Sequence, residues 1–247
     1  ARGTFAPPAG GESFFRRKVS QHTAVALQAA EFDTLASQKY EVDRIQVDKK
    51  FFGGYLDISE QAQSFSEPSM VERVLADMAN VYALTTETYA LQTMYDAISP
   101  SATPVSDWTD GDEVIEDLYA TAAQIKGDFG RMPTHLIIKS SVWAQIGAAK
   151  DSGGNRIFPY LGPSNAAGTL AGATSLTGNP LGLSLIISDN FAGDYDAMML
   201  SASAIELYED RRGAIRVEQP ATLSTRLAFR GIFAVADIAL AVGARAI

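Results

Sequence analysis

Two histidines, His22 and His135, supply the only imidazoles, and the chain contains no cysteine. Without a thiol, Cys/His nucleophilic catalysis, disulfides and thiolate metal sites are excluded. A Ser-His-Asp arrangement would have to use one of the two histidines, which fall in separate predicted strands; His135, just behind Pro133 at a strand start, reads as structural. Asp107, Asp110, Asp112 and Glu113 are dense enough to suggest calcium. An EF-hand loop needs Gly at its sixth position and Glu at its twelfth. Counted from Asp107, those positions hold Asp112 and Leu118, so the match fails and helix capping is the better reading. Neither a GxxxxGK phosphate loop nor a GxGxxG turn occurs. The one basic run, Arg16-Arg17-Lys18, suits a solvated turn or an electrostatic contact to nucleic acid or an acidic neighbour. No catalytic, cofactor-binding or metal-ligating residue is therefore expected, and no cofactor.

The totals point the same way. With 247 residues, 47% of them hydrophobic, the chain can bury the core of one large or two small domains. A formal charge of -9 argues against a dedicated DNA reader. Absence of cysteine fits a reducing cytoplasm. The longest apolar run, Gly231 to Val242, is interrupted by Asp237 and stays short of the ~18 residues of a membrane span. No secretory signal pattern opens the sequence, and Ala1 in place of Met leads to the expectation of a trimmed N-terminus.

What must position these residues is organised around Ser69 to Ile98, a stretch free of Gly and Pro. Val71, Val74, Leu75, Met78, Val81, Tyr82, Leu91, Met94, Tyr95 and Ile98 recur at helical spacing and predict one buried face. Ser69 with Glu72 makes a capping-box pattern, and Pro100 stops the helix. Such a helix would be about 45 Å long, a strut rather than an ordinary core helix. Before it, residues 1–13 read as a Gly/Pro/Ala-rich arm that needs a neighbour to be ordered, with Phe5, Phe14 and Phe15 as anchors. Lys18–Leu27 and Tyr40–Lys50 predict a two-stranded ribbon. The phase of apolar residues changes between Val42 and Ile45, which suggests a bulge. A ribbon of this kind is marginal alone and has no sequence-adjacent partner. Phe51 to Ile58 continues as a strand.

After the strut, a helix is predicted over about Asp110–Lys126, ended by Gly127 and Gly130. A strand over Thr134–Lys139 follows, and then a helix capped by Ser140 or Ser141. Lys150 to Gly178 is a long Gly/Ala/Ser/Asn-rich loop. From Pro180 the chain turns to strands, LGLSLIIS, DAMMLS, AIELYED, AIRVEQ and LAFRGIFAVADIALAV, with Arg211-Arg212-Gly213 at a hairpin turn.

This order of arm, ribbon, strut and α/β unit closing with strands resembles the HK97-fold major capsid proteins of tailed bacteriophages. The segment Pro133–Pro159, PTHLIIKSSVWAQIGAAKDSGGNRIFP, and the segment GNPLGLSLIISDN followed by DAMMLSASAIELYEDRRGAIRVE carry the resemblance, which spans nearly the whole chain. It implies an α+β, HK97-like capsid fold: N-terminal arm 1–17, E-loop β-ribbon 18–50, peripheral domain with spine helix 51–104, axial domain 105–200, peripheral strands 201–232, and axial return and C-terminus 233–247. It implies a structural, non-catalytic subunit that assembles with itself as hexamers and pentamers into an icosahedral shell. Packaged double-stranded DNA would be touched weakly and non-specifically. Portal, scaffold or maturation protease and decoration proteins would be further partners, and no membrane is involved. The shell would be built in the bacterial host cytoplasm and end in the virion. The alternative is an encapsulin-type nanocompartment enclosing cargo enzyme. Some members of the family join a ribbon Lys to an Asn of the next subunit. Tyr208 to Phe229 contains no Asn, so a non-covalent shell is expected, with Arg211 and Arg212 as cations for neighbouring acids.

Overall fold

The computed structural model describes residues 5–21, 25, 27–28, 34, 37, 39–65, 70–150, 152–154, 182–190, 195–219 and 223–247. Strands β1 (Ser13–Gln21) and β2 (Glu41–Asp48) form the ribbon. Strand β3 (Lys50–Ser59) and the short helix α1 (Glu60–Phe65) lead to the strut, α2 (Met70–Ala97), and then to β4 (Ser99–Pro100). Next come α3 (Gly111–Phe129), β5 (His135–Ile138), α4 (Ser140–Ala148), β6 (Ser184–Ile187) and β7 (Ala197–Leu200). The chain closes with β8 (Ile205–Gln219), β9 (Ser224–Asp237), α5 (Leu240–Gly243) and β10 (Ala244–Ala246).

One sheet has the order β4-β10-β7-β5-β6, with β5 and β6 parallel and β7 antiparallel to both β5 and β10. Every residue of β7 is buried, as expected of a central strand covered on both faces. Helix α3 covers it with Val114, Leu118 and Ile125, packed against Leu136, Ile138 and Met199. The acids before α3 do cap it: Asp110 Oδ1 accepts from the backbone N–H groups of Asp112 (3.0 Å) and Glu113 (3.4 Å). Gly127 lies inside the helix and does not end it. Gly130 does, at φ 74°, with its N–H donating to the Lys126 carbonyl. Neither Ser140 nor Ser141 caps α4. The Ser140 N–H donates to Asp189 Oδ1 at 2.7 Å, so a residue 49 positions away caps the helix. The long loop from Lys150 lies outside the described residues apart from 150 and 152–154, as do the capping residue Ser69 and the ribbon residue His22.

The other large sheet has the order β3-β9-β8, antiparallel throughout. Here the predicted hairpin at Arg211-Arg212-Gly213 is corrected. AIELYED and AIRVEQ are one 15-residue strand, and Arg212 is an extra residue inserted between the Arg211–Gly231 and Gly213–Arg230 pairs. Gly213 takes φ 69°, the left-handed conformation that lets a β-bulge form without a Cβ clash. The ribbon also differs from expectation. It begins at Ser13, not Lys18, and its irregularity falls in β1 between Val19 and Gln21, while β2 pairs in regular register. The phase change between Val42 and Ile45 therefore marks a change in which face is apolar.

Helix α2 runs unbroken for 28 residues, about 42 Å, and joins the two sheets. Its C-terminal half buries Ala90, Leu91 and Met94 against Met198, Leu200, Ile205 and Phe233. Its N-terminal half is only half-buried, and Val81, expected on the core face, is 53% exposed. The buried row is Tyr82, Thr86, Ala90, Leu91 and Met94. Thr86 enters the interior by donating its hydroxyl to the Tyr82 carbonyl at 2.9 Å.

Candidate assembly surface

The residues that could have done chemistry are placed by structure-making contacts. Asp107 accepts from the Thr109 N–H and hydroxyl (2.8 and 2.7 Å), and these bonds hold its carboxyl below the usual range. Glu113 accepts from the Ser106 N–H and hydroxyl, with the same effect. Asp112 accepts from the Ser152 N–H. The four acids thus build a helix entrance, and among the described residues no group of three or more His, Asp and Glu is arranged to hold a metal. His135 shares a 2.7 Å hydrogen bond with the Thr134 hydroxyl, and burial lowers its pKa. In the basic run, Arg16 makes a bidentate pair with Glu206 (2.6 and 2.7 Å) while its side chain stays part-exposed.

The strand pair β3 and β9 supports α2 through aromatic side chains. Phe52, Tyr89 and Phe233 pack edge-on or tilted as a cluster, and the Tyr82 ring lies 5.1 Å from that of Phe229. Tyr82 fits because Gly231 has no side chain: a Cβ there would sit 2.2 Å from the phenol oxygen. A lone Gly in an apolar strand is the sequence signal for such close approach, and the reading from sequence missed it. The phenol is buried with no hydrogen-bond partner among the described residues, and burial raises its pKa.

Where the N-terminal half of α2 diverges from β3, a groove of about 710 Å³ opens between Phe51, Tyr55 and Leu56 on the strand and Val74, Met78 and Val81 on the helix. Phe51 and Tyr55 are 69% and 66% exposed. Arg226 lies over the Tyr55 ring, 4.4 Å from its centroid, and pairs bidentately with Asp57 (both 2.7 Å). That guanidinium holds the Asp57 carboxyl below its usual range. On the ribbon, Phe15, Val19 and Val42 are exposed on one face, which they share with Gln46, Arg17 and Arg44, while Phe14 and Val47 on the other face turn inward.

Two expectations about this surface are corrected. The arm has a seat on its own chain, since Phe5 bridges Tyr208 in parallel and Lys49 Nζ donates to the Pro8 and Gly10 carbonyls (2.5 and 2.6 Å). The ribbon base likewise packs Val47 against Tyr208, Ala234 and Ala236. Arg211 and Arg212, expected to meet acids of a neighbour, have partners within the chain. They pair along their own strand with Glu209 (2.6 Å) and Asp210 (3.1 Å), because alternate residues of a strand share a face.

Exposed aromatic side chains beside an open groove, together with a two-stranded ribbon, are what a subunit of an assembly presents. The family model described as phage capsid protein matches residues 41–247, and the chain belongs to that family. It is a structural shell protein of the virion, and this match does not favour the encapsulin alternative. No curated protein sequence matches it. Among solved structures, a chain from Gordonia phage Cozz superposes with a TM-score of 0.74 at 12% identity, covering 98% of this chain and 83% of that one. A chain from Microbacterium phage Oxtober96 gives 0.71 at 8% identity, with coverages of 99% and 88%. A structure described as the capsid of a native GTA particle gives 0.68 at 13% identity, with coverages of 98% and 86%. At these identities the likeness is one of fold, and the fold is the HK97-like α+β capsid fold.

Proposed function

We propose that copies of this chain close, as hexamers and pentamers, into an icosahedral head around double-stranded DNA, and that the subunit works mechanically, without catalysis. The observation that carries this reading is the set of exposed apolar side chains at the α2–β3 groove and on the outer ribbon face, which a single chain leaves in water. The ribbon of one subunit lies across the groove region of the next, so each surface covers the other. The division into arm, ribbon, peripheral and axial parts at the boundaries implied by the resemblance fits this use: the axial part gathers at the symmetry axes and the peripheral part carries the joints. A net charge of -9 suits a container that touches DNA weakly and releases it. Portal, scaffold or maturation protease and decoration proteins are the further partners, and assembly takes place in the bacterial host cytoplasm. The joints are non-covalent, held by apolar burial and ion pairs.

Negative-stain imaging of the purified protein tests this directly. Closed particles of uniform diameter that protect DNA from nuclease are expected. Monodisperse monomers with no particles, under any assembly condition, would reject it. Boiling the particles in denaturing detergent should give a single band near 26.4 kDa, and a ladder would reject the non-covalent joints.

A further inference from the structure

We propose that Tyr208 is the pin of an intramolecular latch through which docking of the arm stiffens the base of the ribbon. The inference concerns the subunit itself and stands independently of the shell reading. Three segments distant in sequence meet on this one side chain, which is 7% exposed. From the arm, the Phe5 ring lies 5.7 Å from it. From β1, the Phe14 ring meets it edge-on at 4.8 Å, and from β2 Val47 closes the cluster. Its hydroxyl donates to Glu206 Oε2 at 2.8 Å, and the same carboxylate accepts both bonds from Arg16 of β1. Burial and the Glu206 carboxylate push the phenol up to about 12, so it remains a donor at any working pH.

The backbone explains why the arm seats here. β8 is an edge strand, and an unpaired edge invites foreign strands. Beyond Glu209 that edge is guarded by the Arg212 bulge and by the charges Asp210, Arg211, Arg216 and Glu218. The stretch Ile205–Glu209 has no bulge and is capped by the arm: the Phe5 N–H donates to the Leu207 carbonyl (2.9 Å), and the Glu209 N–H donates to the Phe5 carbonyl (2.8 Å). Phe5 thus seals an open edge and covers one side of the ring that anchors Phe14. Lifting the arm uncovers that ring, and the ribbon base loses part of its support. A neighbour that captured the arm would loosen the ribbon of the subunit that gave it up.

Amide hydrogen exchange on the purified full chain, followed by peptide, tests the coupling. Phe5 is at the periphery, so Phe5→Ala leaves the core intact. It should strip protection from the Glu209 amide and speed exchange in residues 13–17 and 44–48 by about 2- to 10-fold, the range one aromatic pair supports. Tyr208→Phe, which keeps the ring and loses the bond to Glu206, should speed the ribbon base less and leave Glu209 protected. Phe15→Ala, on the outer face of the same strand, should change neither. Exposure of Glu209 with an unchanged ribbon would show that arm and ribbon are not coupled. Continued protection of Glu209 in Phe5→Ala would show that the Phe5 ring does not hold the arm in place, and an equal effect from Phe15→Ala would show that the response is not specific to the latch. Each of these results overturns the proposal.

Discussion

The five-stranded sheet with α3 and α4 and the three-stranded sheet with the ribbon solve opposite problems. In the first, Leu118, Leu136, Ile138 and Met199 are at most 1% exposed and touch only their own chain. In the second, aromatic and β-branched side chains of the same kind stand in water: Phe51 and Tyr55 at the groove, Phe15 and Val42 on the ribbon. The first region supplies the folding free energy of a self-contained unit. The second holds its shape by β-pairing, bidentate Arg–carboxylate bonds and a few aromatic clusters, and leaves its apolar area for another molecule. Helix α2 belongs to both, buried along its C-terminal half and open along its N-terminal half.

The most severe way to break this contrast is to cut the element both regions share. Val81→Pro removes a mid-helix donor and should cost ~3 kcal/mol or more. Because Val81 itself is exposed, the loss is one of backbone and not of packing. Loss of closed particles by negative stain is the expected outcome, and normal particles would show that the strut does not couple the two regions. Leu118→Ala confines damage to the first region. A cavity there should cost about 3 kcal/mol, read as a lowered thermal midpoint of the unassembled chain, and the ribbon's hydrogen exchange should stay unchanged.

The paired change Phe51→Ser and Tyr55→Ser should do the reverse. Surface substitutions of exposed residues shift stability by about 0.5 kcal/mol or less, so the thermal midpoint should hold while particle yield falls. A lowered midpoint with normal yield would mean that these rings serve the fold rather than the joint. The smallest effect concerns Asp57. Its folded-state pKa lies below the ordinary value because Arg226 bonds the carboxylate, so the group contributes stability at neutral pH that is lost as pH falls through that lowered pKa. Asp57→Asn should flatten the thermal midpoint's dependence on pH below about 4, where an ordinary carboxylate protonates. An unchanged acid slope would show that the pair has no thermodynamic role.

Several local and periodic features were legible in the sequence, though not the start of β1 or the cap of α4. The strut's length follows from an uninterrupted run without Gly or Pro, the start of α3 from Asp110, its end from Gly130, and the buried strand β5 from a short apolar run. The absence of thiols and phosphate loops is read directly from composition, and the family resemblance rests on the order of these elements. Tertiary structure alone decided what depends on distant partners. Asp189 caps α4 from another strand's end, Gly231 admits Tyr82, and the arm finds its seat on β8. Helical spacing named the apolar residues of α2, but its two halves meet different neighbours, so no single face could be assigned from periodicity. At Arg211-Arg212-Gly213 a turn and a bulge demand the same left-handed glycine, and only pairing with β9 on both sides selects the bulge. Sequence encodes the propensity of each segment. Which surfaces become core is set by long-range contacts that local chemistry permits and does not specify.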